Sequence, residues 1–153
     1  MSPRADKREK VERKLMETRL STPWGFADQV YPIGERGILK VCTPSHGGMF
    51  VPSELLPQMP SALRYSNSYS GRANWFEEDV EWALVVASFP EEFTADYCKA
   101  AIETIAMYAE RPRGEYFYSA NQWLNSPRAD ILRRHAEPGD RGPAPDSVDY
   151  GRA

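Results

Sequence analysis

Three observations predict an α+β domain. From residue 26 to 51 the apolar residues fall in short runs rich in Val, Ile, Tyr and Leu, broken by glycine turns, which is the pattern of strands and hairpins. After residue 52 the apolar spacing lengthens to that of helices. At 153 residues, 41% hydrophobic and 12% aromatic, the chain has enough apolar side chain for a single core without metal or disulfide. The expected architecture is a small three-stranded antiparallel meander packed against two core helices, 75–89 and 94–111. A surface helix precedes this body and a disordered tail follows it.

Residues 1–20 contain strong helix formers and acid–base pairs at helical spacing, such as Glu9/Arg13. Only Val11, Leu15 and Met16 offer an apolar anchor there, so this basic helix is expected on the surface. The domain proper is expected over 21–136. Gly34 and Gly37 bracket a polar turn, and Ser45-His46-Gly47-Gly48 makes a second, so the strands run antiparallel. Pro52, Pro57 and Pro60 limit the next segment to single turns, and 61–74 reads as a polar loop.

Asn74 to Pro90 carries the strongest helix pattern. Asn74 and Glu77 have capping-box spacing, and Glu77, Glu78 and Asp79 fill the first turn, where the helix dipole favours carboxylates. Phe76, Val80, Ala83, Leu84 and Ala87 form one stripe, and Trp75, Trp82, Val86 and Phe89 a second. Glu77, Glu78 and Glu81 are left for the wet side, whereas Asp79 falls between apolar residues and is expected to be buried against the 43–48 turn. Thr94 caps the next helix and Pro112 ends it. Residues 116–124 fit either strand or helix, and Ser126-Pro127 opens a short helix to about His135. Residues 137–153, rich in Pro, Gly and Asp, read as a disordered tail.

The net charge of −3 is unevenly distributed. Residues 1–20 hold seven Lys/Arg against four Asp/Glu, and residues 21–111 hold six against twelve. Between Glu77 and Asp96 there is no basic residue. Such a surface repels nucleic acid and attracts a basic protein, which makes Glu77, Glu78, Glu81, Glu91 and Glu92 the candidate partner-binding residues. No run reaches the roughly 20 apolar residues that span a bilayer, and none reads as a signal peptide. Cys42 and Cys98 lack metal-site spacing and read as buried thiols in a reducing cytoplasm.

His46 leads the candidates for chemistry, because it sits in a turn between Ser45 and two glycines that let backbone amides approach a ligand. Its structural reading is an ordinary hairpin turn. A nucleophile system of Ser45, His46 and Asp79 is unattractive, because adjacent side chains on an extended segment point to opposite faces. A metal site is the better enzymatic alternative: His46 and Asp79 with Glu77 or Glu78 supply one nitrogen and two carboxylates. No HExxH and no phosphate-loop pattern supports it. Trp24 beside Gly25 reads as a packed ring that another backbone approaches closely.

Read in order, Thr22-Pro23-Trp24-Gly25, Thr43-Pro44-Ser45-His46-Gly47-Gly48, Met59-Pro60 before Ala62-Leu63-Arg64, Trp75-Phe76-Glu77-Glu78-Asp79 with Glu81-Trp82, and Phe89-Pro90 form a set of motifs. Over roughly residues 22–93 they resemble an uncharacterised family of small proteins and domains carried by bacteriophages, plasmids and integrated elements. The resemblance implies a mobile-element setting and no particular reaction. The leading expectation is a non-catalytic, cofactor-free interaction protein in the cytoplasm of a bacterial host, inhibiting a host or defence protein that presents a basic surface. The alternative is a small metal-assisted hydrolase centred on His46 and Asp79.

Overall fold

The computed structural model describes residues 7–10, 20–64, 73–110 and 115–138. A two-stranded arm comes first, β1 (Ser21–Thr22) against β2 (Gly25–Phe26). The sheet then takes four strands in chain order, β3 (Gln29–Ile33), β4 (Ile38–Cys42), β5 (Gly47–Phe50) and β6 (Trp75–Glu77), each antiparallel to the next. Gly34 and Gly37 make the β3–β4 turn with φ of 65° and 95°, a region that side chains disfavour. Pro32 lies within the edge strand β3, where a missing N–H is tolerated.

Strand alternation gives the sheet two apolar faces. On one, Ile33 pairs with Ile38 and Met49 with Phe76, and these four join the main core with the helices. On the other, Val30 pairs with Val41 and Phe50 with Trp75, and the arm covers them with Trp24. The helical layer comprises α1 (Ser61–Arg64), α2 (Trp82–Ser88), α3 (Ala95–Ala109), α4 (Glu115–Leu124) and α5 (Asp130–Ala136). Ala83 to Ala87 of α2 are all buried, because this helix lies between the sheet and α3. Thr94 caps α3 by accepting from the Tyr97 amide at 3.2 Å. Ser126 accepts from the Arg128 amide and opens a 3-10 turn, Pro127–Ala129, that runs into α5.

The expected α+β fold is present, with one element corrected. The meander has a fourth strand, and the helix expected over 75–89 is divided. Trp75–Glu77 is extended and pairs with β5, residues 78–81 form a turn, and α2 starts only at Trp82. Extension suits these residues because alternation sends Phe76 into the helical core and Trp75 onto the arm face. Asn74 is therefore no helix cap: its Nδ2 donates to the Val51 carbonyl at 2.9 Å and to Ser53 Oγ at 3.1 Å. The 116–124 segment, open between strand and helix, is α4. The N-terminal helix expected over 1–20 lies outside the described residues except for 7–10, which are helical, and Leu20, which is not; the tail beyond Pro138 also lies outside. The polar loop expected at 61–74 starts as α1, and its residues 65–72 also lie outside. Among the described residues no helix is long and apolar enough to cross a membrane.

Candidate functional site

Three of the motifs, Thr22–Gly25, Thr43–Gly48 and Trp75–Trp82, meet at the Gly47 end of β5. Each Thr-Pro stretch folds into a turn closed by its threonine hydroxyl. Thr22 Oγ1 donates to the Gly25 carbonyl at 2.7 Å and accepts from the Trp24 amide at 3.1 Å. Thr43 Oγ1 donates to the His46 carbonyl at 2.5 Å and accepts from the His46 amide at 3.1 Å. In each case a hydroxyl closes a turn whose second residue is proline with its φ preset. The first turn carries Trp24 over the sheet, where a Cβ on Gly48 would lie 2.4 Å from the indole and 2.4 Å from the Phe76 carbonyl oxygen. Trp24 also meets Trp75 edge-on, ring centres 5.9 Å apart. Gly48 is thus the glycine that close approach requires. Gly25, expected in that role, has open space around it and is used for its φ of 116°.

Glycine at 47 and 48 therefore serves packing, with the Val41 carbonyl and Glu78 against Gly47 and the indole against Gly48. His46 is exposed at the tip of the β4–β5 turn beside exposed Ser45. Its Nδ1 is 3.9 Å from Glu78 Oε1, with the side chains 60% and 48% exposed, so the pair is long and well solvated.

The acids divide in a way the sequence did not anticipate. Glu77 and Glu81 were expected on the wet side and are 6% and 1% exposed; Asp79 was expected to be buried and is exposed. The cause is a reciprocal exchange between backbone and carboxylates. Glu77 Oε1 accepts from the amides of Val80 and Glu81 at 2.7 and 3.0 Å, and Oε2 from that of Asp79 at 2.7 Å. Glu81 Oε1 in return accepts from the Glu77 amide at 3.1 Å. Three successive amides converge on one carboxylate, the anion-binding arrangement of a helix start turned onto the chain's own side chain. Asp79 contributes backbone instead: its amide goes to Glu77 and its carbonyl accepts from Trp82 Nε1 at 3.3 Å.

Trp82 packs edge-on against Tyr97, which also touches Phe93. Burial here pushes the Tyr97 hydroxyl up to about 12. Glu91 and Glu92 are held by the β3–β4 turn. Arg36 Nη2 donates to Glu91 Oε1 at 2.7 Å and its Nε to Glu92 Oε1 at 3.2 Å, while the guanidinium lies 5.1 Å from the centre of the Phe89 ring. Sequence reasoning passed over Arg36, although it is the single basic residue in the turn that reaches this acid pair.

The structure thus brings His46 and Glu78 together and separates them in role from Glu77, whose oxygens are filled. Among the described residues, no three His, Cys, Asp or Glu side chains are grouped to hold a metal ion.

Residues 17–135 match a family described as a domain of unknown function (DUF7007). The chain belongs to this family. The DUF7007 match takes in the arm, both Thr-Pro turns, the Glu77–Glu81 exchange and nearly all of the helical layer. No curated protein and no solved structure matches the chain.

Proposed function

We propose that the chain is a non-catalytic interaction protein of a bacteriophage or other mobile element, which binds a basic surface on a host or defence protein in the bacterial cytoplasm and inhibits it by covering that surface. The observation that carries this reading is the division of the four acids around the β6–α2 turn. Glu77 and Glu81 are buried and fix the backbone, while Glu78 and Asp79 project from it exposed. A turn already held by four hydrogen bonds to carboxylates loses little further freedom when arginines or lysines dock on the two exposed acids. Glu91, half-exposed even beside Arg36, extends the acidic character. The Thr-Pro and Trp-Phe-Glu-Glu-Asp motifs support the mobile-element setting through their resemblance to phage- and plasmid-borne proteins.

The hydrolase alternative centred on His46 and Asp79 has less support, since Asp79 stands in water and both Glu77 oxygens are committed to backbone amides. Nucleic acid is disfavoured by the acidic balance of residues 21–111. The test is capture from a host lysate with wild type and the Glu78→Lys/Asp79→Lys variant, at about 0.05 and 0.5 M salt. A stoichiometric partner held by wild type at low salt, and lost by the variant or at high salt, is expected. Equal retention by both proteins at both salt concentrations refutes the reading.

A further inference from the structure

Resting on the reading that a basic surface docks at the β6–α2 turn, we infer that the cation recognised there is an arginine, whose guanidinium pairs with Asp79 and stacks on Trp82. The chain holds one assembly of this kind already filled. Arg36 donates to Glu91 Oε1 at 2.7 Å and to Glu92 Oε1 at 3.2 Å, while its guanidinium lies 5.1 Å from the centre of the Phe89 ring. An aromatic ring with two carboxylates close behind it in the chain thus takes a guanidinium. Glu78, Asp79 and Trp82 offer the same chemistry in the opposite order, two carboxylates and then a ring within one turn of chain. Among the described residues no cation pairs with Asp79 and none lies over Trp82.

Geometry keeps the three side chains together. Asp79 and Glu78 are exposed and Trp82 is partly so, and Trp82 Nε1 donates to the Asp79 carbonyl at 3.3 Å, which ties the indole to the residue whose carboxylate stands in water. Tyr97 meets the indole edge-on, ring centres 5.9 Å apart and planes at 71°. The ring is therefore set before a partner arrives and gives up little rotamer freedom on binding. A guanidinium is planar and weakly hydrated, so it stacks on an indole and keeps its N–H groups for a carboxylate, whereas the compact ammonium of lysine holds its water more strongly. Arginine is favoured over lysine.

The experiment titrates the full-length protein with hexa-arginine and hexa-lysine peptides in about 0.05 M salt. Affinity is read by calorimetry, the Trp82 indole N–H by NMR, and folding of a Trp82→Leu variant by circular dichroism. Expected are binding of hexa-arginine about fivefold tighter than hexa-lysine, a shift of the Trp82 indole signal with hexa-arginine, and loss of the preference in Trp82→Leu. Equal binding of the two peptides, or a preference for arginine that Trp82→Leu retains, overturns the inference and leaves the basic-surface reading standing. If Trp82→Leu does not fold, the wild-type indole signal decides, and its failure to move with hexa-arginine overturns the inference. Binding of neither peptide refutes the basic-surface reading and this inference with it.

Discussion

Replacing Glu77 tests whether the carboxylate exchange holds the β6–α2 turn. Its two oxygens accept three amides at 2.7, 2.7 and 3.0 Å, and the side chain is almost wholly buried. Hydrogen bonds to a charged group contribute about 1.5–3 kcal/mol each, but three on one carboxylate are not additive, and water reaches the amide of exposed Asp79 after truncation. Glu77→Ala is therefore expected to lower stability by about 3 kcal/mol, with the amides of Val80 and Glu81 bearing most of the loss. Glu77→Gln keeps one acceptor oxygen and turns an N–H₂ toward an amide donor, for a loss of about 1.5 kcal/mol. Urea unfolding at constant m-value reads both, and in a thermal scan the alanine variant should melt about 9 °C lower for a chain of this size. His46→Ala, at an exposed turn tip, is the control and should stay within about 0.5 kcal/mol of wild type. A Glu77→Ala protein as stable as the His46→Ala control would refute the account of the turn.

Gly48→Ala forces a Cβ to within 2.4 Å of both the Trp24 ring and the Phe76 carbonyl, so it should cost about 2–3 kcal/mol and shift tryptophan fluorescence; an unchanged spectrum and melt would contradict this packing. Arg36→Ala removes two charge-assisted bonds and the contact over Phe89 at a partly solvated site, for about 1 kcal/mol that shrinks toward zero in 1 M salt, as seen in urea titrations at two salt concentrations. Tyr97 adds a pH dependence. Its hydroxyl holds its proton to about 12 when folded and to 10.0 otherwise, so its contribution is intact below pH 10 and is lost as pH rises toward 12. The difference in stability between wild type and Tyr97→Phe should therefore change between pH 10 and 12 and be flat from pH 7 to 9.

The hairpin glycines, the Thr94 cap and the Ser126-Pro127 start were legible because each rests on chemistry within four residues. The Asn74–Pro90 stretch was legible only in its second half. Trp-Phe-Glu fits a helix stripe as readily as a strand, and what selects the strand is the Gly47–Phe50 ladder, more than twenty residues earlier in the chain. The acids followed from that error. With a helix starting at Asn74, Glu77 and Glu81 share a wet face; with a strand followed by a turn, they face each other's amides and become core. Asp79, read as buried from its place between tryptophans, was carried into water by the same change. Arg36 was missed because its partners are some 55 positions away.

Because the arm covers its face of the sheet with one small apolar cluster while the helices bury the other in a much larger one, the two layers have no reason to open together. The arm is anchored by the Trp24 contacts with Gly48 and Trp75, and lifting it breaks no helix. Such a sub-global excursion wets Trp75, Val41 and Leu39 while α2 and α3 stay folded. The tryptophan pair would then lose its edge-on coupling, and with it the near-ultraviolet signature, before far-ultraviolet ellipticity falls. Among the described residues, limited proteolysis through this open form is expected to cut at Ala27–Asp28, which join the arm to β3, at a rate that follows the opening of the thinner covering.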